Sequence, residues 1–183
     1  MRQLDYRELK QRLGRVRAAQ FAQLASVELP KALSDLWGRA YEDAWPQADL
    51  VSVTLSSFSY LFDLSLDRCV GAYGVMIGRN PIPRDHARMA GYPKGEGAKY
   101  HRGHLIPHSG HGGTDINLFV QLGKVNIGPF RALEKRAVEA PGAFYFVRLL
   151  YRSADPALRP AGVEQGLILP GDSPQLELRA FPN

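Results

Sequence analysis

Cysteine is nearly missing from this chain. Cys69 is the only one, so an intramolecular disulfide is excluded and a cysteine-built zinc site with it. The residue reads as a small buried apolar side chain in a strand. Long hydrophobic runs are missing too, since nothing approaches the ~20 apolar residues that cross a bilayer, and no membrane partner is expected. The opening residues, Met1-Arg2-Gln3-Leu4-Asp5-Tyr6-Arg7-Glu8, lack the apolar stretch of a signal peptide. Internal repeats and low-complexity stretches are absent. Acid is the scarcer charge: 18 Asp and Glu stand against 23 Lys and Arg, a net charge of +5. That balance leans toward a polyanionic partner, because Lys and Arg release the counterions condensed on phosphates. What is present is ordinary for a globular protein: 45% hydrophobic and 22% charged residues, in 183, enough for one real core and against disorder.

Residues 3–28 predict an amphipathic helix, with Tyr6, Leu9, Leu13 and Val16 at three- and four-residue steps. Its Arg and Lys residues read as a solvated face. Pro30 predicts the start of a second helix with Leu33, Leu36, Ala40 and Tyr41 as its apolar stripe, ending before Pro46. From Leu50 the period falls to two. Val51, Val53 and Leu55, then Phe58, Tyr60 and Phe62, then the stretch to Ile77 predict an antiparallel meander, with Gly71 and Gly74 as bulge or bend positions. Residues 78–99 are rich in turn formers and predict a long loop, of the kind that is functional in compact domains. Two short strands (His104 to Ile106 and Asn117 to Gln121), a helix from Pro129 to Val138 and three late strands complete the expectation. The fold class is therefore α+β: residues 1–48 form an N-terminal helical segment, and residues 49–183 a domain built on an antiparallel sheet.

The chemistry concentrates between Tyr100 and Glu134: Tyr100-His101-Arg102-Gly103-His104-Leu105, then Asn117-Leu118-Phe119-Val120-Gln121, then Asn126-Ile127-Gly128-Pro129-Phe130-Arg131-Ala132-Leu133-Glu134. Histidine suits a general base near neutral pH because its ordinary pKa, about 6.5, leaves it largely neutral. Strand alternation puts Arg102 on the face of His104, where a guanidinium can clamp a phosphate. The side-chain carbonyl of Asn117 is a candidate to accept the other ring N–H of His104 and fix its tautomer. Asn126 offers an amide oxygen to a hard cation such as Mg2+, or to Mn2+, either of which keeps several waters. Glu134, eight residues further, is placed about two helical turns on, to accept hydrogen bonds from those waters. Arg88, Lys99 and Arg131 are candidate phosphate contacts, with Arg79 and Arg84 beside them; isolated surface charges are the plain alternative.

In this order the residues resemble the non-specific DNA/RNA endonucleases of the ββα-metal (His-Me finger) superfamily. Arg102, Gly103 and His104 fall on the Arg-Gly-His of its Asp-Arg-Gly-His motif, with His101 in the place of the Asp. Asn117, Leu118 and Gln121 fit its Asn-Leu-x-x-Gln, with Val120 where Pro is common; Asn126, Gly128, Leu133 and Glu134 fit its Asn-x-Gly and Leu-Glu. The resemblance implies a ββα-metal finger, a metal-dependent endonuclease acting on DNA and RNA, and His104 as base. The meander and the end of the chain are similar to the subset found at the C-termini of bacterial polymorphic toxins. This second resemblance implies a secreted effector acting in the target-cell cytoplasm and a cognate immunity protein as partner.

Two rivals stand beside that reading. His101 in the acid position suits an inactive nucleic-acid- or immunity-protein-binding domain on the same scaffold. The four histidines His101, His104, His108 and His111 invite a zinc hydrolase, although no carboxylate or Cys assists them. For Asn126 alone, a helix N-cap is the ordinary role.

Overall fold

A computed structural model describes residues 4–83, 97–152 and 158–183. Three layers stack around a six-stranded antiparallel sheet ordered β1-β2-β3-β6-β7-β8. β1 (Leu50–Leu55), β2 (Phe58–Asp63) and β3 (Arg68–Val75) form the predicted meander, and the register shifts between Leu61 and Phe62, across from Gly71. β6 (Phe144–Leu150), β7 (Gly162–Ile168) and β8 (Leu176–Pro182) extend it. Helices cover one face and an excursion of the chain covers the other. β6 and β7, buried almost throughout, accordingly read as continuous apolar runs rather than as alternating ones.

The helices are α1 (Arg7–Leu13), α2 (Ala18–Gln23) and α3 (Leu29–Ala44). The single helix expected over residues 3–28 breaks after Leu13, where Gly14 takes the C-cap. The break expected at Pro30 is missing: a π turn, Leu24–Glu28, runs straight from α2 into α3, with Pro30 in the first turn of α3. A proline costs little there because its absent N–H belongs to a loosened turn. The buried stripe of α3 is Leu29, Leu33, Trp37 and Tyr41, a strict four-residue step in which Trp37 takes the place expected for Leu36 and Ala40. Trp37 meets Tyr73 and Phe146 edge-on at 5.7 and 5.8 Å, and Tyr6 lies 5.6 Å from Phe146. One buried cluster thus joins the helical residues to the sheet across the boundary expected near residue 48.

Cys69 is buried in β3 as expected, and burial pushes its thiol up to about 12, so the sulfur stays protonated and inert. Nearby, Arg68 is buried between two aromatic faces, 4.2 Å from the Trp45 ring and 3.9 Å from that of Tyr151, and its Nε donates to the Tyr41 hydroxyl at 2.7 Å. Tyr41 in turn donates to Asp63 at 2.8 Å, while the Ser65 hydroxyl and backbone N–H reach the same carboxylate at 2.6 and 2.9 Å. Burial alone would raise the Asp63 pKa. The hydrogen bonds from Ser65, Tyr41 and the Asp49 backbone outweigh it and hold the group below the usual carboxylate range. A depressed folded-state pKa gives stability that is present above the unfolded value, about 3.9, and is lost as pH falls through the folded one. The urea midpoint is therefore expected to drop below about pH 4, and Asp63→Asn to remove part of that slope; an unchanged acid limb in the variant would contradict this account.

Between β3 and β6 the chain leaves the sheet and returns to it. The Met76 N–H donates to the Ala143 carbonyl at 2.8 Å and the Gly142 N–H to the Met76 carbonyl at 2.7 Å, which ties the excursion shut at its base. It contains β4 (Tyr100–His104) and β5 (Leu118–Leu122), paired antiparallel as a separate two-stranded sheet, then a single turn α4 (Gly123–Val125), a π turn Asn126–Phe130, and α5 (Arg131–Val138). Strand, strand and helix thus follow one another across the motif residues. Phe130 docks the unit: its ring meets Phe119 and Phe181 edge-on at 6.4 and 6.1 Å, and its carbonyl accepts from Gln165 at 3.0 Å. β4 covers Tyr100–His104, earlier in the chain than the strand expected at His104 to Ile106; Leu105 and Ile106 are instead buried in the core beyond it.

Candidate active site

Register decides which side chains share a face. His101 pairs with Gln121, Arg102 with Val120, Gly103 with Phe119 and His104 with Leu118. Alternation turns Arg102 and His104 to one face of β4, as expected, and His101 to the other. Arg102 is half-buried, and His104, closing the strand, is 6% exposed. Tyr100, on the face of Arg102, carries the Arg159 guanidinium 4.7 Å above its ring, and Arg159 donates to its hydroxyl. This second arginine on the Arg102 side carries no signal in the sequence, because nothing in its spacing links residue 159 to residue 100.

Asn117 is buried in a short 3-10 turn, Asp115–Asn117. Its Oδ1 accepts the Ile106 N–H at 2.8 Å, and its Nδ2 donates to the carbonyls of Ile106 and Gly113, both at 2.8 Å. Three of the four hydrogen bonds an amide can make are thus spent closing the loop between β4 and β5. The bond expected from its carbonyl to His104 is replaced by one to the backbone two residues beyond. Asn117 therefore fixes the path of the chain leaving His104, and acts on the ring only through that backbone.

Asn126 lies against His101. Its Nδ2 stands 3.4 Å from the ring Nδ1. The contact is held from below by Gly123, whose N–H donates to the Lys99 carbonyl at 2.8 Å. A Cβ on Gly123 would come within 2.7 Å of His101 Nε2, so the imidazole rests on bare backbone there. On the same face the side chain of Gln121 fills the space a Cβ on Gly103 would need, its Oε1 only 2.3 Å away from that position. The Gln121 amide is wholly buried, and among the described residues neither Oε1 nor Nε2 has a hydrogen-bond partner. Buried orphan amides are uncommon and signal a missing ligand or water.

The helix after Asn126 is kinked. Gly128 has φ −103° and ψ −115°, and Pro129 follows inside the π turn. The kink interrupts the two helical turns expected between Asn126 and Glu134, so helical spacing alone does not set how the two side chains lie to one another. Glu134, half-buried in α5, sits near enough to Tyr145 for its charge to add to the effect of burial in raising that phenol's pKa. Lys99, just before β4, and Arg131, opening α5, are both exposed. Arg84 and Arg88 lie outside the described residues.

His108 opens a 3-10 turn, and its carbonyl accepts from the Asn80 side chain at 3.0 Å; His111 has φ 71°, a left-handed cap to that turn. Among the described residues, no three His, Cys, Asp or Glu side chains gather to hold a metal ion, so the four histidines do not converge as a zinc site would require. No helix among the described residues is long and apolar enough to cross a membrane.

No protein-family model matches the chain, and no curated protein matches it. Among solved structures, an extracellular endonuclease is similar over 73% of this chain and 68% of its own, at 16% identity and a TM-score of 0.39.

Proposed function

We propose that the chain is a metal-dependent endonuclease with little sequence preference, hydrolysing phosphodiester bonds of DNA and of RNA. The observation that carries the reading is local: a paired strand bearing Arg102 and His104 runs through β5 directly into a kinked helix bearing Asn126 and Glu134. That order of strand, strand and helix supports the ββα-metal reading. The net charge of +5 supports a polyanionic substrate.

In this mechanism His104 takes the proton of the attacking water, and Arg102 holds the phosphate by a charge-assisted pair. Asn117 keeps the loop behind His104 closed, so the base has a fixed position. Asn126 would hold a Mg2+ or Mn2+ ion, Glu134 would accept hydrogen bonds from water around it, and Lys99, Arg88 and Arg131 would guide the backbone of the substrate. A divalent ion bound there supplies charge for the phosphoryl oxygen and the leaving alkoxide. The donor set fits one: a neutral amide oxygen from Asn126, a ring nitrogen beside it, and a buried amide at Gln121 that has no hydrogen-bond partner among the described residues. The toxin setting extends the same proposal, with this domain delivered by a secreted effector into a target-cell cytoplasm and neutralised in the producer by an immunity protein.

Supercoiled plasmid and total RNA, incubated with the purified chain in Mg2+ or Mn2+, are expected to be degraded, and a chelator is expected to stop both reactions. Binding of nucleic acid without cleavage under any divalent ion would favour the inactive binding domain instead.

A further inference from the structure

We infer that His101 is a second protein ligand to the metal at Asn126, so the site selects imidazole-binding ions such as Mn2+, Co2+ or Ni2+ over Mg2+. This rests on the metal site proposed above and adds to it the residue that replaces the family's acid. Three observations carry it. First, the separation of the two side chains suits ligands better than it suits a hydrogen bond. N–H donors stand about 2.7–3.2 Å from their acceptors, and here the atoms are 3.4 Å apart. Two ligands each about 2.1 Å from a shared ion are separated by about 3.0 Å at octahedral angles and about 3.4 Å at tetrahedral ones. A half-turn of the Asn126 amide, whose oxygen and nitrogen are near-equivalent in shape, points Oδ1 at the ring nitrogen.

Second, the ring is seated. Gly123 lies against the Nε2 edge, closer than any Cβ could tolerate, and is itself locked to Lys99. Nδ1 is the ring atom turned to Asn126. Third, the Gln121 amide, paired across the strands with His101, is buried, and among the described residues neither of its polar atoms has a hydrogen-bond partner. Water bound to an ion at Asn126 would supply one. Mg2+ takes oxygen ligands, whereas imidazole favours Mn2+, Co2+ and Ni2+ in rising order of affinity. Histidine in place of a carboxylate therefore exchanges a hard donor for a borderline one.

The test is metal binding to the full chain stripped by chelation, read by calorimetry with NiCl2 and with MgCl2 and by Mn2+ electron paramagnetic resonance. The wild type is expected to bind Ni2+ more tightly than Mg2+. His101→Ala is expected to weaken Ni2+ by about tenfold or more, the size expected for a lost contact at a metal, and to leave Mg2+ nearly unchanged. His101→Asp should reverse the preference toward Mg2+, and Gly123→Ala, which displaces the ring, should imitate His101→Ala. Asn126→Ala should weaken both ions. Because His101 is exposed, urea midpoints are expected to stay level, which keeps unfolding apart from ligand loss. Ni2+ affinity unaltered in both His101→Ala and Gly123→Ala overturns the inference, and so does a His101→Ala chain that loses cleavage while binding Ni2+ like the wild type. A chain that cleaves nothing yet loses Ni2+ with His101 would refute the nuclease reading and leave the metal pair standing.

Discussion

His104→Ala is expected to lower the rate of plasmid cleavage by about 10²–10⁴-fold, the usual contribution of a positioned general base, with the fold retained. The residue ends β4 at 6% exposure, so truncation leaves a small void and a modest fall in stability. His104→Gln keeps most of the volume without a base of suitable pKa, and should be equally inactive with a urea midpoint closer to the wild type. Arg102→Ala should act differently. A lost phosphate clamp weakens substrate binding and catalysis together and flattens the salt dependence, whereas a lost base affects turnover at saturating substrate. The experiment also separates His104 from His101, the histidine that meets Asn126. A cleaving His104→Ala alongside an inert His101→Ala in every metal would move the base to His101. Full activity in both would leave the chain without an assigned base.

What the sequence revealed here depended on period and order. The meander over residues 50–75, the pairing of the Arg-Gly-His strand with the Asn-Leu-x-x-Gln strand, and the helix ending at Val138 all follow from alternation or from caps, which are local. What stayed hidden is set by contacts across the chain. Pro30 reads as a helix start by its own chemistry, and only the π turn before it, supported by packing of α3 on the sheet, lets the helix run through. Asn117 was readable as a polar residue at a strand start, yet whether its amide meets a ring or a backbone depends on how tightly residues 105–117 close. Gly128 and Pro129 signal a kink that a count of eight residues to Glu134 ignores. His101 was visible as a departure at the acid position, but its role needed the depth of Gly123 below it. Gln121 belongs to the motif and reads as an ordinary strand residue until its burial is known.

The largest stability effect is expected at Glu164, which pairs with Arg148 between β6 and β7 and ties the residues just before α1 to the sheet. Both residues are wholly buried, Arg148 Nη1 standing 3.1 Å from Glu164 Oε2. The same carboxylate accepts the Tyr6 hydroxyl at 2.8 Å and the Leu4 N–H at 3.1 Å, and the Trp37 indole donates to the Tyr6 oxygen at 3.1 Å. Burial, reinforced by the Glu164 charge, raises the Tyr6 pKa far above its ordinary value, so its hydroxyl remains a donor throughout the accessible pH range. Glu164→Gln removes the charge at nearly constant volume and leaves the Arg148 cation in a medium that solvates it poorly. Breaking one side of a buried pair costs about 3–5 kcal/mol, a large share of the ~5–15 kcal/mol of a typical domain. The urea midpoint should fall accordingly. Replacing both partners with methionine should recover much of the loss, since most of the penalty is the lost charge balance rather than the missing bond. Tyr6→Phe, which removes one donor and keeps the ring on Phe146, should cost about 1 kcal/mol. If Glu164→Gln costs no more than Tyr6→Phe, the helical layer is held by Trp37, Tyr6 and their aromatic neighbours, and the ion pair contributes little to attaching it.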